Sequence, residues 1–191
     1  IDKVHAMHPD CTFSVETKID GLSMSLRYAK EADGKLHLQL AETRGDGLIG
    51  EDVTANARVI GDVLQVIDLP YDSLELRGEV YMSHEDFEKY NEEQERLEKK
   101  TAANPRNLAA GTLRQLDTSI TKKRGLEMFI FNVQDGPAEI MESHSKGMDI
   151  LKAAGVPVVY HKICKTKDEV VSAIDEIGRM REELPYDICL L

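Results

Sequence analysis

Two alternating apolar runs joined by a tight turn constrain the fold of this chain more than any other feature. Leu22, Met24, Leu26 and Tyr28 alternate with polar neighbours, and Leu36, Leu38 and Leu40 alternate with Lys35, His37 and Gln39. A period of two puts the apolar side chains of each run on one face of a strand. Between the runs lies Asp33-Gly34, a pair suited to the positive φ angles of a short hairpin. Strands joined so closely must pair antiparallel. His37 falls on the polar face and reads as exposed.

More strands follow. Leu74, Leu76, Gly78, Val80 and Met82 form one face of a strand, with Glu75, Arg77, Glu79 and Tyr81 on the other. Met128 to Val133, MFIFNV, is an apolar strand. Helices are placed by their caps. Ser83 suits an N-cap with Asp86 three residues on, opening a polar helix to about Lys100 with a thin stripe of Phe87, Tyr90 and Leu97. Ala103-Asn104-Pro105-Arg106 is a break followed by a helix start. A short helix is predicted over 51–60. Helix, strand and helix are predicted over about 143–154, 156–164 and 166–183. Residues 1–11 show no pattern and read as the remnant of an upstream segment. The result is an α+β chain of mainly antiparallel sheets flanked by helices, one domain over 1–191.

Composition removes several classes of function. Acidic residues number 35 against 24 lysines and arginines, a net charge of −11. That disfavours gripping nucleic acid by bulk electrostatics. The middle of the chain is nonetheless locally basic, from Lys99 to Arg124. Cys11, Cys164 and Cys189 are far apart and form no CxxC pair, so neither a disulfide framework nor a zinc ribbon is implied. No apolar run of membrane-spanning length and no leader pattern is present. A soluble, cytoplasmic protein is the expectation.

Three stretches carry chemistry. The first is Phe13-Ser14-Val15-Glu16-Thr17-Lys18-Ile19-Asp20-Gly21. Alternation places Glu16 and Lys18 on one face of a strand end, beside Asp20. A lysine so placed is either a solvated edge residue or a nucleophile whose surroundings free its amine. The second, Thr43 to Asp52, contains Gly45, Gly47 and Gly50 in a GxGxxG spacing. A dinucleotide fingerprint requires a strand–helix–strand unit, whereas the strand here belongs to a hairpin. The glycines instead read as a loop through which backbone and Arg44 approach a ligand. In the third, Arg106 and Arg114 lie eight residues apart on one helix side without acidic partners at i+4, which suggests an anion site.

Together these stretches resemble the nucleotidyltransferase (adenylation) core of bacterial NAD-dependent DNA ligases. The resemblance rests on Val15-Glu16-Thr17-Lys18-Ile19-Asp20-Gly21, on Thr43-Arg44-Gly45-Asp46-Gly47 with Gly50-Glu51-Asp52-Val53-Thr54, and on Leu76-Arg77-Gly78-Glu79-Val80. Its most distinctive part is Ala103-Asn104-Pro105-Arg106-Asn107-Leu108-Ala109-Ala110-Gly111-Thr112-Leu113-Arg114-Gln115-Leu116-Asp117. It covers about residues 12–188. It implies a nucleotidyltransferase (ATP-grasp-like) adenylation fold, NAD as AMP donor, Mg²⁺, and nicked double-stranded DNA as the partner of a monomeric enzyme. By resemblance Lys18 is the nucleophile that takes AMP as a phosphoramidate. Glu16 reads the adenine amine, Asp20 and Gly21 shape the turn, and Arg44 lies near ribose and phosphate. Glu79 binds ribose or positions metal, a role Asp20 can share. Arg106 and Arg114 serve phosphates, Phe131 stacks on adenine, and Arg181 belongs to the pocket.

The pattern also breaks. After Leu184-Pro185-Tyr186 the family continues with Asp-Gly and a lysine-bearing strand, where this chain has Cys189-Leu190-Leu191. The family's N-terminal module for the nicotinamide half, and its OB, zinc-finger, helix-hairpin-helix and BRCT modules, have no counterpart here. The expectation is a core truncated at its C-terminal end, with weak or absent activity alone. The alternatives are a non-catalytic nucleotide-binding relative, an enzyme of the same covalent chemistry acting on RNA and, more distantly, a dehydrogenase.

Overall fold

A computed structural model describes residues 1–45 and 50–189. The middle of the glycine-rich turn, including Gly47, and Leu190 and Leu191 lie outside the described residues.

The chain opens with a short helix, α1 (Asp2–Met7), which the sequence did not signal. Lys167 reaches Asp2 at 2.8 Å, and the His5 ring meets Phe13 edge-on. β1 (Phe13–Glu16) ends two residues before Lys18. The hairpin forms, and its alternation holds through Leu38; a one-residue bulge opposite Arg27 and Tyr28 then leaves Leu40 half-buried and buries Ala41 and Thr43. β2 (Leu22–Lys30) and β3 (Leu36–Thr43) pair antiparallel, and Gly34 in the turn takes φ 82°. Of the helix predicted over 51–60 only one turn appears, α2 (Thr54–Ala57). Its expected start is drawn to the sheet instead. The Thr43 amide donates to the Glu51 carbonyl, and Glu42 bridges Asp52.

β4 (Val66–Ile67) adds to the free edge of β3, and β5 (Ser73–Met82) to that of β2. α3 (His84–Arg96) starts where the Ser83 hydroxyl accepts from the Asp86 amide. α4 (Pro105–Leu113) starts where Asn104 accepts from Asn107, with Pro105 in the first turn, where its missing N–H has no partner to lose. α5 (Thr118–Lys123), β6 (Leu126–Asp135) and α6 (Ala138–Met141) follow. α7 (His144–Ala153), β7 (His161–Cys164) and α8 (Lys167–Met180) complete the chain, the last held by a capping box between Thr166 and Glu169. The strand predicted over 156–164 is divided. Val158 bridges Ile130 in parallel, with the Val159 amide donating to the Ile130 carbonyl, while 161–164 pair with β1.

The result is α+β. One sheet runs β4-β3-β2-β5-β6 with every neighbour antiparallel, and a second is the pair β1-β7. Helices flank them. The inward face of the large sheet supplies the main core, where Met24, Leu26, Leu36, Leu76 and Met128 pack with Leu113, Ile140 and Met148 from the helices. The other face of β5 is only partly a water face. Tyr81 is buried there, stacked on Phe129, and donates to Glu127 at 2.9 Å. A second cluster of Ile19, Tyr81, Val159 and Ile188 closes over this face, with Phe131 packed against it. A third, Cys164, Val170 and Ala173, ties α8 to the small sheet. All three cysteines are free thiols.

Candidate active site

Lys18 is held through its backbone from two sides. The Thr17 amide donates to the Tyr160 carbonyl. The Lys18 carbonyl accepts from the Cys189 amide at 2.8 Å, Ile19 bridges Ile188, and the Asp20 amide donates to Asp187. Thr17 and Ile19 are buried, which leaves the Lys18 side chain on the open side of the segment. Immediately afterwards Asp20-Gly21 turns against β5. A Cβ at Gly21 would collide with the Val80 carbonyl oxygen, so the close approach requires glycine.

The segment forms one wall of a cavity of about 300 Å³. Glu16, Thr17, Lys18 and Ile19 line that wall, and Glu79 of β5, Phe131 of β6 and Val159 line the other. The floor is thus apolar and aromatic and the rim is charged, the usual make-up of a small-molecule site. Lys18 Nζ lies 3.7 Å from Cys189 Sγ. The two carboxylates differ in environment. Burial pushes the Glu79 carboxyl above its usual range, although Lys18, the Ser23 hydroxyl, Arg106 and the Gly21 amide all favour its charged form. Glu16 is tied by short hydrogen bonds, 2.6 Å from the Ser14 hydroxyl and 2.6 Å from His144 Nε2, both to Oε1.

Sequence matches place the chain in a family. A family model described as the NAD-dependent DNA ligase adenylation domain matches residues 1–189. The chain belongs to that family. It is 44% identical over 181 residues to a DNA ligase of Thermoanaerobacter sp. (strain X514), covering 94% of this chain and 26% of that one. It is 46% identical over 180 residues to a DNA ligase of Jannaschia sp. (strain CCS1), covering 94% and 23%. A solved chain titled putative ATP-dependent DNA ligase from Aquifex aeolicus overlays with TM-score 0.46 at 18% identity, covering 95% of this chain and 41% of that one. The chain therefore spans about a quarter of the length of the curated DNA ligases it matches.

Within this adenylation domain, the residues anticipated from sequence separate into three groups. Lys18, Glu16, Glu79 and Phe131 share the cavity. Asp20, Gly21 and Arg106 do not line it but adjoin Glu79 or one another: Gly21 and Arg106 act on the Glu79 carboxyl, and Arg106 Nη1 lies 3.0 Å from Asp20 Oδ1. Arg44, Arg114 and Arg181 are exposed and, among the described residues, do not line it. Arg44 follows β3, and its amide donates to Ser23. Arg114 caps α4 at its C-terminus and pairs with Glu51 at 2.5 Å, and Arg181 caps α8. The two arginines of the α4 signature thus have acidic partners after all. These come from other elements, beyond any i+4 rule. Sequence reasoning missed Ser14 and His144 as partners of Glu16 and Val159 as part of the floor. Ser14 was within reach of the alternation that grouped Glu16 with Lys18; His144 lies 128 positions away.

Among the described residues no group of three or more His, Cys, Asp or Glu is arranged to hold a metal ion. Asp20 and Glu79 are single carboxylates on either side of the Gly21 turn. Such a set suits Mg²⁺ held jointly with substrate phosphates and does not suit a cage made by protein alone. Among the described residues no helix is long and apolar enough to cross a membrane.

Proposed function

We propose that this chain is the part of an NAD-dependent DNA ligase in which Lys18 accepts AMP. The Lys18 amine, deprotonated, attacks the α-phosphorus of NAD. A P–N bond forms, the bond to the bridging oxygen breaks, and nicotinamide mononucleotide departs with that oxygen. In the full-length ligase the AMP passes to a 5′-phosphate at a nick in double-stranded DNA, and a 3′-hydroxyl then displaces it. The observation that carries this reading is the convergence of Lys18, Glu16, Glu79 and Phe131 on one cavity of about 300 Å³.

Each group has a task that its chemistry suits. Phe131 offers a face for adenine, and Glu16 accepts from its amino group. Glu79, partly desolvated, meets the ribose hydroxyls. Arg106 and Arg114 serve phosphates of NAD or DNA by exchanging Asp20 and Glu51 for phosphate oxygens, a swap that guanidinium geometry favours. Arg44 and Arg181 act from outside the cavity as further phosphate contacts. Mg²⁺, when bound, supplies charge neutralisation at the phosphates, with Asp20 and Glu79 positioning it. Chemistry of this kind depends mainly on placement and charge.

The chain alone adenylates slowly and seals no nicks. Its charge of −11 opposes DNA, and phosphate must first displace Asp20 and Glu51 from Arg106 and Arg114. Incubation with NAD and Mg²⁺ followed by intact-mass measurement tests the assignment. A slow gain of one AMP, absent in Lys18→Ala, is the expected outcome. An AMP adduct that persists in Lys18→Ala would remove Lys18 from its role. Rapid and complete adduct formation would overturn the slow rate assigned to the isolated chain.

A further inference from the structure

We infer that His144, with Ser14, is a positioning residue that sets the base selectivity of the cavity by fixing Glu16. The inference rests on the proposed function and deepens it. An ionised carboxylate has no proton to give, so the bond between Glu16 and His144 is donated from the ring Nε2–H. The Ser14 hydroxyl donates to the same oxygen, Oε1, and each bond is 2.6 Å long. Among the described residues Oε2 accepts nothing. Glu16 therefore enters the cavity with one oxygen occupied and the other available, in one orientation.

The two donors are placed by different parts of the fold. Ser14 and Glu16 are i and i+2 on β1 and share a face. His144 opens α7, whose Met148 and Leu151 are fully buried and whose Gly147 packs against the Ile140 carbonyl. A rigid helix thus delivers the imidazole to the end of a short strand. Charge-assisted bonds of this length are among the stronger ones. Glu16 is also only 22% exposed and His144 38%, so the pair is partly shielded from water.

The consequence is discrimination. A fixed acceptor suits the 6-amino group of adenine and opposes the 6-oxo group of hypoxanthine. A glutamate released from both donors can rotate away from an oxo group, so the penalty against the wrong base falls. It must also be ordered when adenine binds, which lowers affinity for the correct base.

Calorimetric titration of the 191-residue chain with AMP and with IMP tests this, with thermal unfolding as the fold control. His144→Phe keeps a ring and removes the donor. It should weaken AMP binding by about three- to tenfold, the size expected for one long side chain left unfixed, and bring the AMP-to-IMP affinity ratio towards one. His144→Gln, whose amide nitrogen can reach the same oxygen, should restore both. If His144→Phe does not fold, Ser14→Ala carries the same test through the other donor. A variant that weakens both nucleotides equally, or neither, overturns the assignment. Wild-type chain that binds neither nucleotide overturns the proposed function, and this inference with it.

Discussion

The large and small sheets meet along the cavity, but they are held together by different means. β2 and β5 pair without a break from Leu22↔Val80 to Ala29↔Ser73, over a core that includes Leu26, Leu36, Leu74 and Leu76. β1 and β7 pair only over Phe13–Glu16, and their apolar support is Cys164, Val170 and Ala173 with Phe13 and Val15 alongside. The cavity draws Glu79 and Phe131 from the first region and Glu16 and Lys18 from the edge of the second. A firm wall therefore faces one that is anchored mainly by backbone hydrogen bonds to Tyr160, Asp187 and Cys189. Such an arrangement separates stability from chemistry. On the function proposed above, the deep core sets whether the chain folds, and the seam sets what it does.

The largest stability effect should come from the first region. Leu76 is fully buried at the centre of β5. Leu76→Ala should cost about 2–5 kcal/mol, through lost burial and the cavity left behind. Denaturant unfolding measures it, and a loss below about 1 kcal/mol would show that the core is not the stabilising region. At temperatures where the variant is folded, its AMP binding should match the parent's.

A smaller stability effect with a larger functional one should come from the seam. Gly21→Ala places a methyl group against the Val80 carbonyl, so the turn must lift from β5. A loss of about 1–3 kcal/mol is expected from overpacking. AMP binding should fall more than it does in Leu76→Ala, because Lys18 and Asp20 move with the turn. Hydrogen exchange sharpens the contrast. Amides of β5 should be protected to the level of global unfolding, and those of β1 and β7 should open at lower free energy. Equal protection would erase the distinction between the regions.

How much of this was legible depended on the distance over which each signal acts. The hairpin, the Ser83 cap and the helix start at Pro105 are local, and they were readable; the caps at Asn104 and Thr166 were not named. α5 and α6 span six and four residues, too few to display a helical period. The run 156–164 looked like one strand because all of it is apolar or alternating. Tertiary partners divided it between Ile130 and β1. In the site, Lys18 and Glu16 stood out in a short motif, Glu79 and Phe131 were expected only from the family resemblance, and all four line one cavity. Arg106 and Arg114 were read as unpaired because only helical neighbours can be judged from spacing. Asp20 and Glu51 lie 86 and 63 positions away. The link between His144 and Glu16 joins elements with no shared local pattern, so it could not have been read.

The smallest effect concerns Glu79, and its sign is opposite to that of the core variant. Burial raises the Glu79 carboxyl above its ordinary value of 4.5, and the nearby cations and donors only partly offset this. A carboxyl raised on folding binds its proton more tightly in the native state than in the unfolded chain. Below the unfolded value both states are protonated and the group has no effect on stability. As pH rises through the window from 4.5 to the native value, the folded state loses this advantage, and above it carries the full desolvation penalty. Glu79→Gln removes the penalty while keeping shape. It should therefore be slightly more stable than the parent at neutral pH, with the difference shrinking as pH falls towards 4.5. Thermal unfolding across that range measures it, and a variant less stable at neutral pH and closest to the parent there would reverse the sign. Nucleotide binding should weaken in the same variant. A charge kept in a partly buried place at some expense of stability is what the proposed binding wall requires.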